Sequence, residues 1–245
     1  MLTHHRLKVY EKALALGACA QEFSALWGRR DAFVDHFRRA SESVLLNIAQ
    51  GARLLSGPDK ARTLDYALGS TLECAACVDI ARIKDRVSRE KALMEKRRIV
   101  EIARMLIGLR KAWLRNAVSE ESTPYQADPL TQGEEFPFHH ESLDVYQVGL
   151  DFMRWFVALP GAGELPDRLC REIDQSATGV ILNVAEGNGR YSELDHQRFL
   201  EIAAASAVKT LVYLDLYQMK VGSHRVEISH GRELLSRVTA MLSRF

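Results

Sequence analysis

Apolar residues recur along this chain at the spacing of helices that pack by one face. Leu143, Tyr146, Leu150, Met153 and Val157 stand three and four residues apart, which a 3.6-residue period gathers into a single stripe. Ile99, Ile102, Leu106, Leu109 and Trp113 repeat that spacing. No segment sustains the every-second-residue alternation of a half-buried strand. Boundary signals agree with helices. Pro58 and Pro166 suit first-turn positions, where a missing N–H loses no bond. Ser192-Glu193-Leu194-Asp195 resembles a capping box. Gly51 and Gly187 follow apolar runs, where a helix closing in the left-handed region favours a residue without Cβ.

The pattern occurs twice. Leu7-Lys8-Val9-Tyr10 returns as Leu143-Asp144-Val145-Tyr146, a shift of 136 residues. At that shift Val44-Leu45-Leu46-Asn47-Ile48-Ala49-Gln50-Gly51 meets Val180-Ile181-Leu182-Asn183-Val184-Ala185-Glu186-Gly187. Asp59, Arg62, Leu64, Ala67, Ser70, Asp79 and Lys84 then meet Asp195, Arg198, Leu200, Ala203, Ser206, Asp215 and Lys220 without a gap. One register held over most of each half reads as a duplication. Each copy reads as four helices with short connections, which favour antiparallel neighbours. The expected fold is therefore all-α: two tandem antiparallel up-down-up-down four-helix bundles, residues 1–118 and 142–245. Residues 119–141, with Pro124, Pro129, Gly133 and Pro137, have the composition of a linker.

An apolar fraction of 47% supplies a core, and no apolar run reaches the ~18–20 residues of a membrane span. The first residues show no secretory pattern, and Cys19, Cys74, Cys77 and Cys170 make no disulfide framework. The expectation is a cytoplasmic protein with reduced thiols and no membrane partner. Charge is divided unevenly. Residues 1–118 carry 22 basic and 13 acidic residues, and the remainder carries 11 basic and 19 acidic. Opposite signs favour attraction between the halves, within one chain or between two.

The run Asn183-Val184-Ala185-Glu186-Gly187-Asn188-Gly189-Arg190, with Leu143-Asp144-Val145-Tyr146 before it and Arg198-Phe199-Leu200-Glu201-Ile202-Ala203 after it, resembles the bacterial four-helix bundle protein family. That family includes proteins encoded in 23S rRNA intervening sequences and relatives of the accessory protein of diversity-generating retroelements. The resemblance implies small helical bundles, often ring-forming, without a known reaction. Its retroelement relatives bind a reverse transcriptase and nucleic acid. Copy one departs at Gln50 and lacks Gly-x-Gly-Arg, but its Gly69-Ser70-Thr71-Leu72-Glu73 resembles the family's third-helix pattern. Copy two departs there, with Ala205-Ser206-Ala207-Val208-Lys209. A surface built from both parts of the pattern is thus split between the copies.

Candidate chemistry is sparse. Asn47 and Asn183, one turn before Gly51 and Gly187, suit amides that fix register across a helix seam. Glu186 lies where a helix dipole disfavours a carboxylate, so a basic partner is expected, Arg190 or Arg198. Cys74-Ala75-Ala76-Cys77 has the spacing of a redox or metal pair, yet no second pair completes four zinc ligands. His4-His5 and His139-His140 also lack further ligands, and His224 and His230 lack a patterned nucleophile. No phosphate loop, dinucleotide fingerprint, zincin helix or nucleophile elbow occurs. Lys96, Arg97, Arg98 and Arg104 belong to a basic concentration suited to phosphates or an acidic partner. These residues point to a non-enzymatic scaffold without cofactor or metal, which associates with itself or a protein partner. The alternative is a nucleic-acid-binding accessory protein acting with a reverse transcriptase or rRNA.

Overall fold

The computed structural model describes residues 3–27, 31–115, 130, 138–159, 168–221 and 225–244. Pro166, His224 and the linker positions 119–129 and 131–137 lie outside them. Among the described residues are eight α-helices: α1 Lys8–Trp27, α2 Ala32–Gly51, α3 Gly57–Ile83, α4 Arg89–Arg115, α5 Asp144–Ala158, α6 Arg168–Asn188, α7 Glu193–Val221 and α8 Arg225–Leu242. The starts of α5, α6, α7 and α8 each fall 136 residues after those of α1, α2, α3 and α4. The protein is all-α, with no strand among the described residues and one isolated bridge between Leu130 and Phe138. None of these helices is long and apolar enough to cross a membrane.

Local chemistry explains the matching starts. The Asp59 N–H donates to Ser56 Oγ at 3.4 Å, Pro58 sits in the first turn of α3, and Asp59 adds a carboxylate at the positive helix end. At α7 the Asp195 N–H donates to Ser192 Oγ at 3.3 Å, with Glu193 and Asp195 in the first turn. The helix ends differ from the sequence expectation. Gly51 is the last residue of α2 and Gly187 lies inside α6, and neither has a positive φ. They are glycines for space: a Cβ on Gly187 would stand 2.9 Å from Phe199 Cβ, and one on Gly51 would strike the Thr63 hydroxyl.

Within each half every helix packs on the next, and α1 also meets α4 as α5 meets α8, closing two rings of four. Short connections between packed neighbours make them antiparallel. The interiors are filled differently. Where copy one has Cys19 and a buried Glu95, copy two has Trp155 and Gly231, and a Cβ on Gly231 would collide with the indole. Volume moved from one helix to its neighbour, which keeps the packing dense.

The two rings do not have separate cores. α3 packs on α6 and α5, and α6 also packs on α2, so the buried side chains form one cluster through both halves. α7 shows what an outer helix looks like: Leu200, Ala203, Ala207, Thr210, Leu214 and Tyr217 are buried in one heptad stripe. α3 buries the equivalent stripe and also Leu68, Gly69, Leu72, Ala75, Ala76 and Ile80. The two tandem bundles expected from the sequence therefore share one interior. Residues 138–141, grouped by composition with the linker, are also part of the packed structure, since Phe138, His140 and Glu141 are buried.

Candidate association interface between the two repeats

The split family pattern meets at the α3–α6 seam. A Cβ on Gly189 would lie 2.6 Å from Gly69 Cα and 2.8 Å from Gly69 N, and one on Gly69 would lie 2.9 Å from Arg190 Cζ. Two backbones touch here because both residues are glycine. Arg190, following directly, reaches across the seam. Its guanidinium bonds Glu186 in the last turn of α6 and stacks 5.0 Å from the Tyr66 ring of α3 and 4.7 Å from the Phe199 ring of α7. Of the two expected partners, Arg190 holds Glu186. Burial, then the Glu73 carboxylate, push the Glu186 pKa up to about 7 against the pull of Arg190. Glu73 itself accepts from His36 at 3.0 Å.

A cavity of about 320 Å³ opens beside this contact, lined by Arg62, Asp65, Tyr66, Arg190, Tyr191 and Asp195 among others. Its charges answer one another. Arg110 of α4 donates to Asp65 at 2.5 Å and lies 3.8 Å over the Tyr191 ring. Burial raises the Asp65 pKa although Arg110 opposes it.

Two further clusters join basic groups of copy one to acidic groups later in the chain, Asp174 and Glu141. Lys84 Nζ donates to Asp174 at 2.5 Å and to Asp31 at 3.1 Å, and Arg86 donates to Asp31 at 2.8 Å. The Lys84 and Asp174 side chains are only 8% and 12% exposed, so water screens this pair little. In the second cluster Lys96 Nζ bonds Asp79 at 2.7 Å and also Glu141, while Tyr146 Oη donates to Asp79 at 2.7 Å. Glu141 also accepts from the Phe138 N–H at 3.1 Å. Burial works against the Lys96 ammonium, but the two carboxylates outweigh it and hold its pKa above the ordinary value. Burial and then Asp79 keep the Tyr146 phenol protonated. The charge division read in the sequence thus operates, in these clusters, within one chain.

The remaining sequence candidates separate. Asn47 Nδ2 donates to Ser43 O at 2.8 Å and Asn183 Nδ2 to Gly179 O at 2.7 Å, each within its own helix rather than across a seam. In copy one Ser70 Oγ donates to Ser43 Oγ at 2.9 Å, so the crossing from α3 to α2 is made by serine. Lys96 is spent in the seam and Arg98 pairs with buried Glu95 at 2.6 Å, whereas Arg97 and Arg104 are exposed on α4. Those four basic residues therefore do not form one patch. Cys74 and Cys77 are fully buried, and desolvation raises both thiols well above their ordinary value, which leaves them unreactive. His140 is buried beside Phe138 and Tyr146, and burial followed by Lys96 holds its imidazole neutral.

Sequence reasoning missed Asp174, Glu141, Asp79, Lys84 and Arg110 as seam residues. A signal existed where the copies differ in charge at equivalent positions: Asp174 stands opposite Arg38 in the alignment, Glu141 opposite His5, and Glu186 opposite Gln50. Against known families, residues 5–108 match the model described as 23S rRNA-intervening sequence protein. No curated protein and no solved structure matches the chain.

Proposed function

We propose that this chain, whose residues 5–108 match the model of 23S rRNA-intervening sequence proteins, is a non-catalytic helical scaffold, associating with protein surfaces through its outward helix faces. The observation that carries the reading is the seam itself. Its ionisable groups (Lys84, Lys96, Asp79, Asp174, Glu141, Glu186, Arg190) are bound to one another. That is the chemistry of a fitted contact between helical modules, with each charge answered by its opposite. Light scattering across concentration, at low and at high salt, tests the self-associating form. A rise in mass with concentration is expected, and an unchanged monomer under both conditions overturns it.

A second reading rests on a different face. Arg97, Arg104 and Lys111 are exposed on α4 at seven-residue spacing, which aligns them in one row. Such a row tracks a phosphate backbone by charge alone. Replacing all three by glutamine would flatten the salt dependence of RNA binding by about two to three counterions if the row is used. No change in affinity removes that reading.

A further inference from the structure

We propose that His140 makes the contact between the two repeats sensitive to acid: while its imidazole is neutral the turn His139–Ser142 stays packed against copy one, and uptake of a proton drives that turn and the start of α5 away from α3 and α4. The scaffold reading neither requires this device nor falls with it.

Each copy opens with a histidine set against a tyrosine of its first helix. His4 lies 4.7 Å from Tyr10 with the ring planes crossing at 66°, and His140, 136 residues on, lies 4.7 Å from Tyr146 at 77°. The pairing therefore belongs to the repeat. Its burial does not. His4 and Tyr10 are half-buried, whereas His140 and Tyr146 are each 0% exposed. Copy one reaches over the second pair: Asp79 of α3 accepts from the Tyr146 hydroxyl, and Lys96 of α4 bonds both Asp79 and Glu141. Water thus reaches the His140 ring only when this end of the seam opens.

The closed pocket suits the neutral ring. Phe138 stacks on it at 5.7 Å, and neither ring nitrogen has a hydrogen-bond partner among the described residues. An imidazolium would bring a second N–H and a charge with an acceptor for neither, which burial penalises heavily. The groups around it come from every packed element. α4 presents Lys96, which repels a second cation; α3 presents Asp79 and the buried Cys77 thiol; α5 presents the Tyr146 hydroxyl. The turn itself adds Glu141 and His139, and α6 adds the uncharged Asn188, which faces His139. Asp79 and Glu141 attract an imidazolium, but both are already bound, to Lys96, to Tyr146 and to the Phe138 N–H. Burial also raises the Glu141 carboxyl, so acid weakens its pull. Burial of the ring, and then Lys96, therefore prevail and hold the imidazole well below its ordinary 6.5. The open form binds the proton more tightly than the closed one. The contact is fully kept above pH 6.5, and below it the open fraction climbs toward about tenfold per pH unit until the closed form itself takes the proton.

Hydrogen exchange of the full chain between pH 7.5 and 5.0, corrected for the pH dependence of the exchange chemistry, tests this. In the wild type, opening of residues 138–148 is expected to rise about tenfold from pH 7.5 to 5.5, with no such rise over residues 9–20 of α1. His140→Phe keeps an aromatic ring in the pocket and cannot titrate, so its opening should not change with pH. His4→Phe should keep the wild-type rise. Glu141 and Glu186 are present in every variant, so their own titrations cancel in the comparison. A rise that persists in His140→Phe, or a wild type that stays flat, overturns the inference. An equal rise over residues 9–20 overturns it too, since the whole chain would then be unfolding. If His140→Phe does not fold, NMR titration of the wild-type ring decides. His140 is expected to stay neutral until the protection of residues 138–148 is lost, and a ring that titrates near 6.5 while that protection holds overturns the inference.

Discussion

At Gly189 the chain leaves α6 with its backbone lying against the backbone of Gly69, and Gly189 cannot gain a methyl group without moving that main chain. Gly189→Ala is expected to destabilise the protein by about 1–3 kcal/mol, the usual cost of overpacking a rigid contact, read by urea denaturation. Gly108→Ala, where a Cβ meets nothing, serves as the control and should be neutral or slightly stabilising. Glu186 gives a pH signature. Its folded pKa, about 7, lies above the ordinary carboxylate value of 4.5, so the folded state binds the proton more tightly than the unfolded state. The stability contributed is therefore full below about pH 4.5 and lost as pH rises through 7. Comparing wild type with Glu186→Gln isolates this group. The wild type should gain on the variant as pH falls from 7.5 to 4.5, and a constant difference would exclude it.

Among the elements, α3 and α6 differ most from ordinary bundle helices, because each packs on neighbours in both rings. Their contact includes ions as well as apolar surface. Removing the cation of a buried cluster leaves its carboxylates facing each other, so Lys84→Met should cost about 3–5 kcal/mol. Adding Asp174→Asn should recover part of the loss in a double-mutant cycle, since it removes one of the stranded charges. Such contacts were only half legible in the sequence. Helix starts could be read because caps are local: Ser56, Pro58 and Ser192 act within one turn. The 136-residue shift could be read because the register never slips, and the helix starts keep it. The meaning of Gly51 and Gly187 could not, since a helix-ending glycine and a close-packing glycine look alike until the neighbour is known. Lys96 had the same ambiguity, reading as one more residue of a solvated basic run until α5 and the turn at residues 138–141 were placed beside it. The partner in each case is distant in the chain, Asp174 being ninety residues from Lys84.

For the whole molecule, one shared core predicts one cooperative unit. Urea unfolding of the full chain followed by tryptophan fluorescence and by circular dichroism should give coincident transitions. Two separated transitions would mean that the rings unfold independently despite their contact. A chain cut to residues 1–118 should expose Leu68, Leu72, Ala76 and Ile80 on α3, bind a hydrophobic dye strongly and lose cooperativity.

That second buried side of α3 also has a consequence in time. The cover for residues 57–83 is supplied largely by residues 168–188, roughly a hundred positions later. At ~5–20 residues per second of synthesis, a ribosome would hold the first ring with a bare flank for about 5–20 s. During that interval the flank is open to trigger-factor-like holdases or to neighbouring nascent chains on the same messenger, so slow stretches of translation between the halves should increase aggregation.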